Sequence, residues 1–174
     1  TAPGAESPRG LAYLVPGFYE VFGDYGIEDA FSTTVTPNAT SAVRFIGGTT
    51  DILRSAGGVG DLNNDGEPDL LFGAPGHSNG SVAQSGAAYV VYGGAAFWGD
   101  WWDPQTGTAR DDVDLEGSST KQQKTAKIAS STLNENLGWD VAWAGDLNGD
   151  GIDDIVIGAL DDDGRIRVFF GGGT

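Results

Sequence analysis

One stretch of this chain occurs twice. Ala56-Gly57-Gly58-Val59-Gly60-Asp61-Leu62-Asn63-Asn64-Asp65-Gly66 returns as Val141-Ala142-Trp143-Ala144-Gly145-Asp146-Leu147-Asn148-Gly149-Asp150-Gly151, an interval of 85 residues from Asp61 to Asp146. Repetition constrains a fold strongly, because each copy must form the same supersecondary unit and bury its apolar face against a neighbour. Each copy leads into an apolar run, Asp69-Leu70-Leu71-Phe72-Gly73-Ala74-Pro75 in the first and Asp154-Ile155-Val156-Ile157-Gly158-Ala159 in the second. A second strand-like signal, Gly86 to Gly94, recurs at Gly164 to Gly172 and earlier at Gly10 to Gly17. Thr1-Ala2-Pro3-Gly4 resembles Gly73-Ala74-Pro75-Gly76, so the repeat is out of phase with the first residue.

Ala42–Ile46 and Thr125–Ala129 alternate apolar and polar residues, the pattern of strands with one solvated face. Labelling the strands of a unit A to D, the chain is predicted to supply C and D, then A through D, then A through C. That makes nine strands. With Gly at 29 of 174 residues and hydrophobics at 39%, short strands joined by tight turns fit better than long helices, and the predicted class is all-β. The Trp-, Asp- and Gly-rich spacer Ala95–Ser119 shows no sustained period and is read as a long loop between C and D, and Phe18–Asn38 takes that place in the first unit.

The repeated turn carries the chemistry. Asp61, Asn63 and Asp65 offer side-chain oxygens at positions one, three and five, Gly66 permits the sharp turn, Glu67 can add its carbonyl, and Asp69 closes at position nine. Asp146, Asn148, Asp150, Gly151, the Ile152 carbonyl and Asp154 repeat the scheme. Calcium takes about six to eight oxygen ligands, which alternate side chains on a tight turn can deliver, whereas Mg²⁺ dehydrates reluctantly and disfavours all-protein cages. Two Ca²⁺ sites are expected. An EF-hand would place Glu at position twelve between helices; here that position holds Phe72 or Ile157, inside a strand. A polar turn without metal would use the same residue types. Two copies with matching ligands and matching strands favour the metal, since carboxylates crowded into one turn repel one another without a cation.

A net charge of −16 disfavours nucleic acid and anionic membrane surfaces as partners. There is no Cys, so disulfides and thiolate chemistry are excluded, and no apolar run approaches the roughly 18 residues of a membrane-spanning helix. Thr1–Gly10 lacks the basic and apolar regions of a signal peptide. Asp111-Asp112-Val113-Asp114 and Asp161-Asp162-Asp163 lack the ligand alternation and are read as solvated turns.

Gly76-His77-Ser78-Asn79-Gly80 matches Gly-x-Ser-x-Gly, but a triad of that order needs a His downstream, and His77 is the sole His. A non-enzymatic protein is expected. Trp98, Trp101, Trp102 and Asp103 form an aromatic and acidic cluster suited to stacking on sugars or anchoring a protein, or to capping the sheet edge. Trp139 and Trp143 are read as core residues. Asn38-Ala39-Thr40 and Asn79-Gly80-Ser81 fit the N-glycosylation pattern, which decides nothing alone.

The loop, its following strand and Phe72-Gly73-Ala74-Pro75 together resemble the FG-GAP repeat of integrin α-subunit propellers and many secreted bacterial proteins. The second copy, Ile157-Gly158-Ala159-Leu160, lacks the Pro, and Leu137-Gly138 stands where a Phe-Gly pair is common. The resemblance implies β-propeller blades: one four-stranded antiparallel blade per repeat, with the calcium loop joining strands A and B. The expected division is a partial blade at about 1–46, a full blade at about 52–129 and a partial blade at about 137–172. A propeller closes with roughly 4–8 blades, so the ring is expected to be incomplete. Its completion would fall to copies of the chain, companion chains or the rest of a longer protein. An extracellular or cell-surface role in adhesion, or in recognition of proteins or carbohydrates, follows from the resemblance, with a structural or accessory piece of a larger assembly or enzyme as the alternative.

Overall fold

The computed structural model describes residues 10–14, 43–94, 102–103, 108–109, 113–117, 124–161 and 163–173. The elements named among them are twelve β-strands, and none is an α-helix. Nine lie where the repeat predicts: β1 (Leu11–Leu14), β2 (Val43–Ile46), β3 (Ser55–Gly60), β4 (Asp69–Ala74), β5 (Ala87–Val91), β9 (Thr125–Ala129), β10 (Leu137–Gly145), β11 (Asp154–Ala159) and β12 (Arg165–Phe169). No helix among the described residues is long and apolar enough to cross a membrane.

The spacer is not wholly a loop. It holds β6 (Trp102–Asp103), β7 (Thr108–Ala109) and β8 (Val113–Asp114). β6 and β7 pair with each other, while β8 pairs in parallel with β2, setting Phe45 opposite Val113 and Ile46 opposite Asp114. Val113 is fully buried, which corrects the reading of that stretch as a solvated turn. The Trp98 and Trp101 positions, Phe18–Asn38, Thr1–Gly4, the Asn38 triplet, Asp111, Asp112 and Asp162 lie outside the described residues.

Three sheets carry the fold. β3-β4-β5-β9 is a four-stranded antiparallel sheet in chain order, β10-β11-β12 is its three-stranded counterpart, and β1-β2-β8 combines one antiparallel with one parallel pair. β4 and β5 are covered on both faces, so they read as continuous apolar runs rather than alternating ones. Phe72, Ala74, Ala87, Tyr89 and Val91 pack with Val43, Phe45, Val113 and Leu115 in one apolar layer. The opposite face presents Leu71, Ala88 and Val90 to Leu137, Val141, Ile155, Ile157 and Ala159 of the third sheet. Among the described residues the sheets do not close a ring.

The second and third sheets approach at backbone distance. Gly86 and Leu137 form an isolated parallel bridge. Gly138 has φ +85°, and a Cβ there would lie 2.1 Å from the Ala87 carbonyl oxygen, so this seam requires glycine. Trp143 packs against the second apolar layer with its ring over Gly60, where a Cβ would meet it at 2.3 Å. Trp139 is only half-buried and stacks under the Arg54 guanidinium, 4.0 Å from the ring centroid, instead of entering the core.

Candidate metal centres

The loop Asp61–Asp69 joins β3 to β4, and Asp146–Asp154 joins β10 to β11, so each spans a pair of antiparallel neighbours. Over positions one to seven the two turns share five hydrogen bonds, and the second adds one from the Gly149 N–H to Asp146 Oδ1 (2.7 Å). In the first, Asp65 and Gly66 donate backbone N–H to Asp61 Oδ1 (3.1 Å) and Oδ2 (2.9 Å), and Asp65 N–H also reaches Asn63 Oδ1 (3.2 Å). In the second, Asp150 and Gly151 donate to Asp146 Oδ1 (3.0 Å) and Oδ2 (2.8 Å), and Asp150 N–H reaches Asn148 Oδ1 (2.9 Å). Asn63 Nδ2 donates to Asp65 Oδ2, and Asn148 Nδ2 to Asp150 Oδ2, both at 2.9 Å. The amides of Glu67 and Ile152 donate to Asp65 Oδ1 and Asp150 Oδ1, again at 2.9 Å. Gly66 (φ +84°) and Gly151 (φ +86°) take the left-handed turn that the loop chemistry demands.

Position nine sits deeper. Asp69 and Asp154 are fully buried at the first residue of their strands. Asp69 accepts from Leu62 (3.0 Å) and Gly93 (2.9 Å), and Asp154 from Leu147 (2.8 Å) and Gly171 (2.9 Å). Each ties its loop to the end of the third strand of its sheet. Burial pushes the Asp69 carboxyl above its ordinary value against those two amides, and the charges of Asp65 and Asp61 add to the rise. The Asp146 carboxyl is held below its ordinary value, chiefly by the Gly151 amide.

Each turn carries oxygen donors of the kind a hard cation takes, but in neither turn are the ligand atoms of its three Asp carboxylates all within 4.8 Å of one another. Asp61, Asn63, Asp65 and Asp69 share one turn, as do Asp146, Asn148, Asp150 and Asp154. Each carboxylate takes backbone N–H donors, which holds its orientation.

A further polar cluster escaped the sequence reading. Among the described residues, Asp51, His77 and Glu116 are the one group of three or more His, Cys, Asp or Glu side chains with ligand atoms all within 4.8 Å of one another. Asp51 comes from the β2–β3 connection, His77 from the β4–β5 connection and Glu116 from the segment after β8. His77 Nδ1 lies 2.8 Å from Asp51 Oδ1 and 3.4 Å from Glu116 Oε1. Tyr89 donates its hydroxyl to Asp51 Oδ2 (2.5 Å) with Glu116 Oε1 at 3.1 Å, and Lys127 Nζ pairs with Glu116 at 2.9 Å. Lys127 and the Tyr89 and His77 donors satisfy these carboxylates, so the cluster fastens the β8 segment to the second sheet. Only His77 stood out in the sequence, as the single His. Its Nδ1 turns to Asp51, and Ser78 Oγ accepts the Gln84 amide (3.4 Å).

With this geometry in place, the likeness to known proteins is specific. The model of the FG-GAP repeat matches residues 54–91 and 137–169. Integrin alpha-7 of Mus musculus and that of Homo sapiens are each 32% identical over 114 residues, covering 65% of this chain and 8% of the relative. Phosphatidylinositol-glycan-specific phospholipase D of Mus musculus is 30% identical over 120 residues, covering 64% of this chain and 12% of the relative. The chain thus spans a small part of the length of these relatives. Both matched repeats begin beside the first strand of a sheet, contain one loop and end with its third strand. The chain carries FG-GAP repeats, similar to those of the integrin α relatives, laid out as β-propeller blades whose sheets, among the described residues, do not close a ring.

Proposed function

We propose that this is a calcium-stabilised propeller segment of an extracellular or cell-surface protein, used for adhesion or for recognition of proteins or carbohydrates and not for catalysis. The observation that carries the reading is the equivalence of the two loops, in which a repeated sequence makes a shared set of hydrogen bonds around Asp61, Asn63 and Asp65 and around Asp146, Asn148 and Asp150. Their side chains, with Asp69 and Asp154 and the carbonyls of Glu67 and Ile152, form the proposed ligand sets. The integrin α relatives support the extracellular adhesion setting.

The blade division is proposed as about 1–46, 52–129 and 137–172, with β8 lent by the second unit to the sheet of the first. A partner unit is proposed to continue the stack. Ile166, Val168 and Phe170 are 74%, 45% and 62% exposed, whereas Ala88 and Val90, at the repeat-equivalent positions of the second sheet, are fully buried against the third. A further blade, from another chain, a copy or the rest of a longer protein, is the natural cover for that face. One relative is named as a phospholipase, which favours a second reading, a non-catalytic accessory piece of a larger enzyme.

Calcium titration with thermal melting tests the metal. A ligand bound only by the folded state adds about 2.7 kcal/mol at a hundredfold excess over its dissociation constant. Melting should therefore rise with calcium, and Asp65→Ala and Asp150→Ala should each remove part of the rise. If both variants melt as the unmutated chain does in calcium, structural metal is refuted.

A further inference from the structure

Within themselves the two loops match except that the Gly149 N–H also donates to Asp146 Oδ1 (2.7 Å) in the second; their surroundings differ more. Asp61, Leu62 and Asn63 are half-buried, whereas Asp146, Leu147 and Asn148 are exposed, Leu147 by 55%. The third sheet makes the difference. Asp153 Oδ2 accepts the Asp61 N–H (3.0 Å), the Asp153 N–H donates to the Asp61 carbonyl (3.3 Å), and the Gly172 N–H donates to the Leu62 carbonyl (3.0 Å). Leu62 then packs against the apolar layer between the sheets. A single residue of the neighbouring unit thus holds the backbone on both sides of the Asp61 Cα, from which a proposed metal ligand projects.

Asp153 stands at position eight of the second loop. Position eight of the first loop is Pro68, which has neither an N–H nor a carboxylate to offer. Bracing of this kind therefore depends on which residue the following unit carries there. Among the described residues, no hydrogen bond from another unit reaches Asp146 or Leu147.

We infer that Asp153 is a positioning residue for the first metal loop, acting from the neighbouring blade, and that in this chain the first loop binds calcium more tightly than the second. The inference rests on the calcium reading above. Binding to a loop whose backbone is already braced lowers the cost of ordering it. Partners that orient a metal ligand typically change affinity by about 10–100-fold when removed.

Calorimetric calcium titration of Asp150→Ala isolates the first loop, and that of Asp65→Ala isolates the second. The first loop should bind about tenfold tighter or more. Adding Asp153→Ala to Asp150→Ala should weaken the remaining site about tenfold, a larger factor than it costs when added to Asp65→Ala. Asp153→Asn, which keeps an acceptor oxygen, should restore most of the loss. A readout without metal is amide hydrogen exchange at Asp61, which should quicken in Asp153→Ala. Equal affinities in the two loops, equal losses on Asp153→Ala, or unchanged exchange at Asp61 would overturn the brace while leaving calcium binding intact. An unmutated chain that takes up no calcium would sink the calcium reading and this inference together.

Discussion

Asp51 shows how one side chain can serve several segments. It is fully buried, and burial alone would raise its carboxyl; hydrogen bonds from His77, Tyr89 and the Gly48 amide outweigh that and hold it below its ordinary value of 3.8. Tyr89 stays a donor because burial, and then its hydrogen bond to Asp51, push its hydroxyl far above the usual range. A carboxyl depressed in the folded state contributes stability that is present above 3.8 and is lost as the pH falls through its folded value. Asp51→Asn should therefore cost roughly 2 kcal/mol near neutral pH and flatten the fall in stability below about pH 4. Denaturant melts across that range check it, and an unchanged acid slope would refute it. The proposed loop ligands stand out in the sequence because they alternate along one short turn and recur. The partners of Asp51 do not, since His77 lies 26 positions away, and Glu116 arrives from the segment after β8. No local pattern links residues that meet only after three connections converge.

At the level of elements, the nine repeat-related strands were readable because the inner ones must bury two faces and therefore carry unbroken apolar runs, as in Leu70-Leu71-Phe72 and Ala87–Val91. Two-residue strands have no period to read. Val113 sits between Asp112 and Asp114 and looks solvated in sequence, yet its backbone pairs with Phe45 and its side chain enters the first layer. The seam between the second and third sheets was hidden as well, because glycine in a sequence does not announce what approaches it. Gly138→Ala should destabilise the fold by more than about 1 kcal/mol, since its φ and the Ala87 carbonyl both oppose a side chain. Gly172→Ala, with open space around its Cα, should change little. Comparable denaturation midpoints for the two variants would show that the close approach carries no energetic weight.

Across the whole molecule, the stacking order of the sheets was legible from the repeat, but the exposed face of the third was not, because burial depends on what lies beyond the strand. Ile166 and Val168 on β12 and Phe170 just after it, all left in water, favour association. If a copy of the chain covers that face, sedimentation in calcium should reveal species larger than 18.0 kDa, and Ile166→Lys should shift them toward the monomer; a compact monomer from the unmutated chain would refute cover by a copy. The β8 pairing reaches further. Because a strip lying in sequence between the two matched repeats finishes the sheet of β1 and β2, a module excised at the bounds of a matched repeat would leave its neighbour frayed. Such repeats are better inherited in consecutive runs than shuffled one at a time.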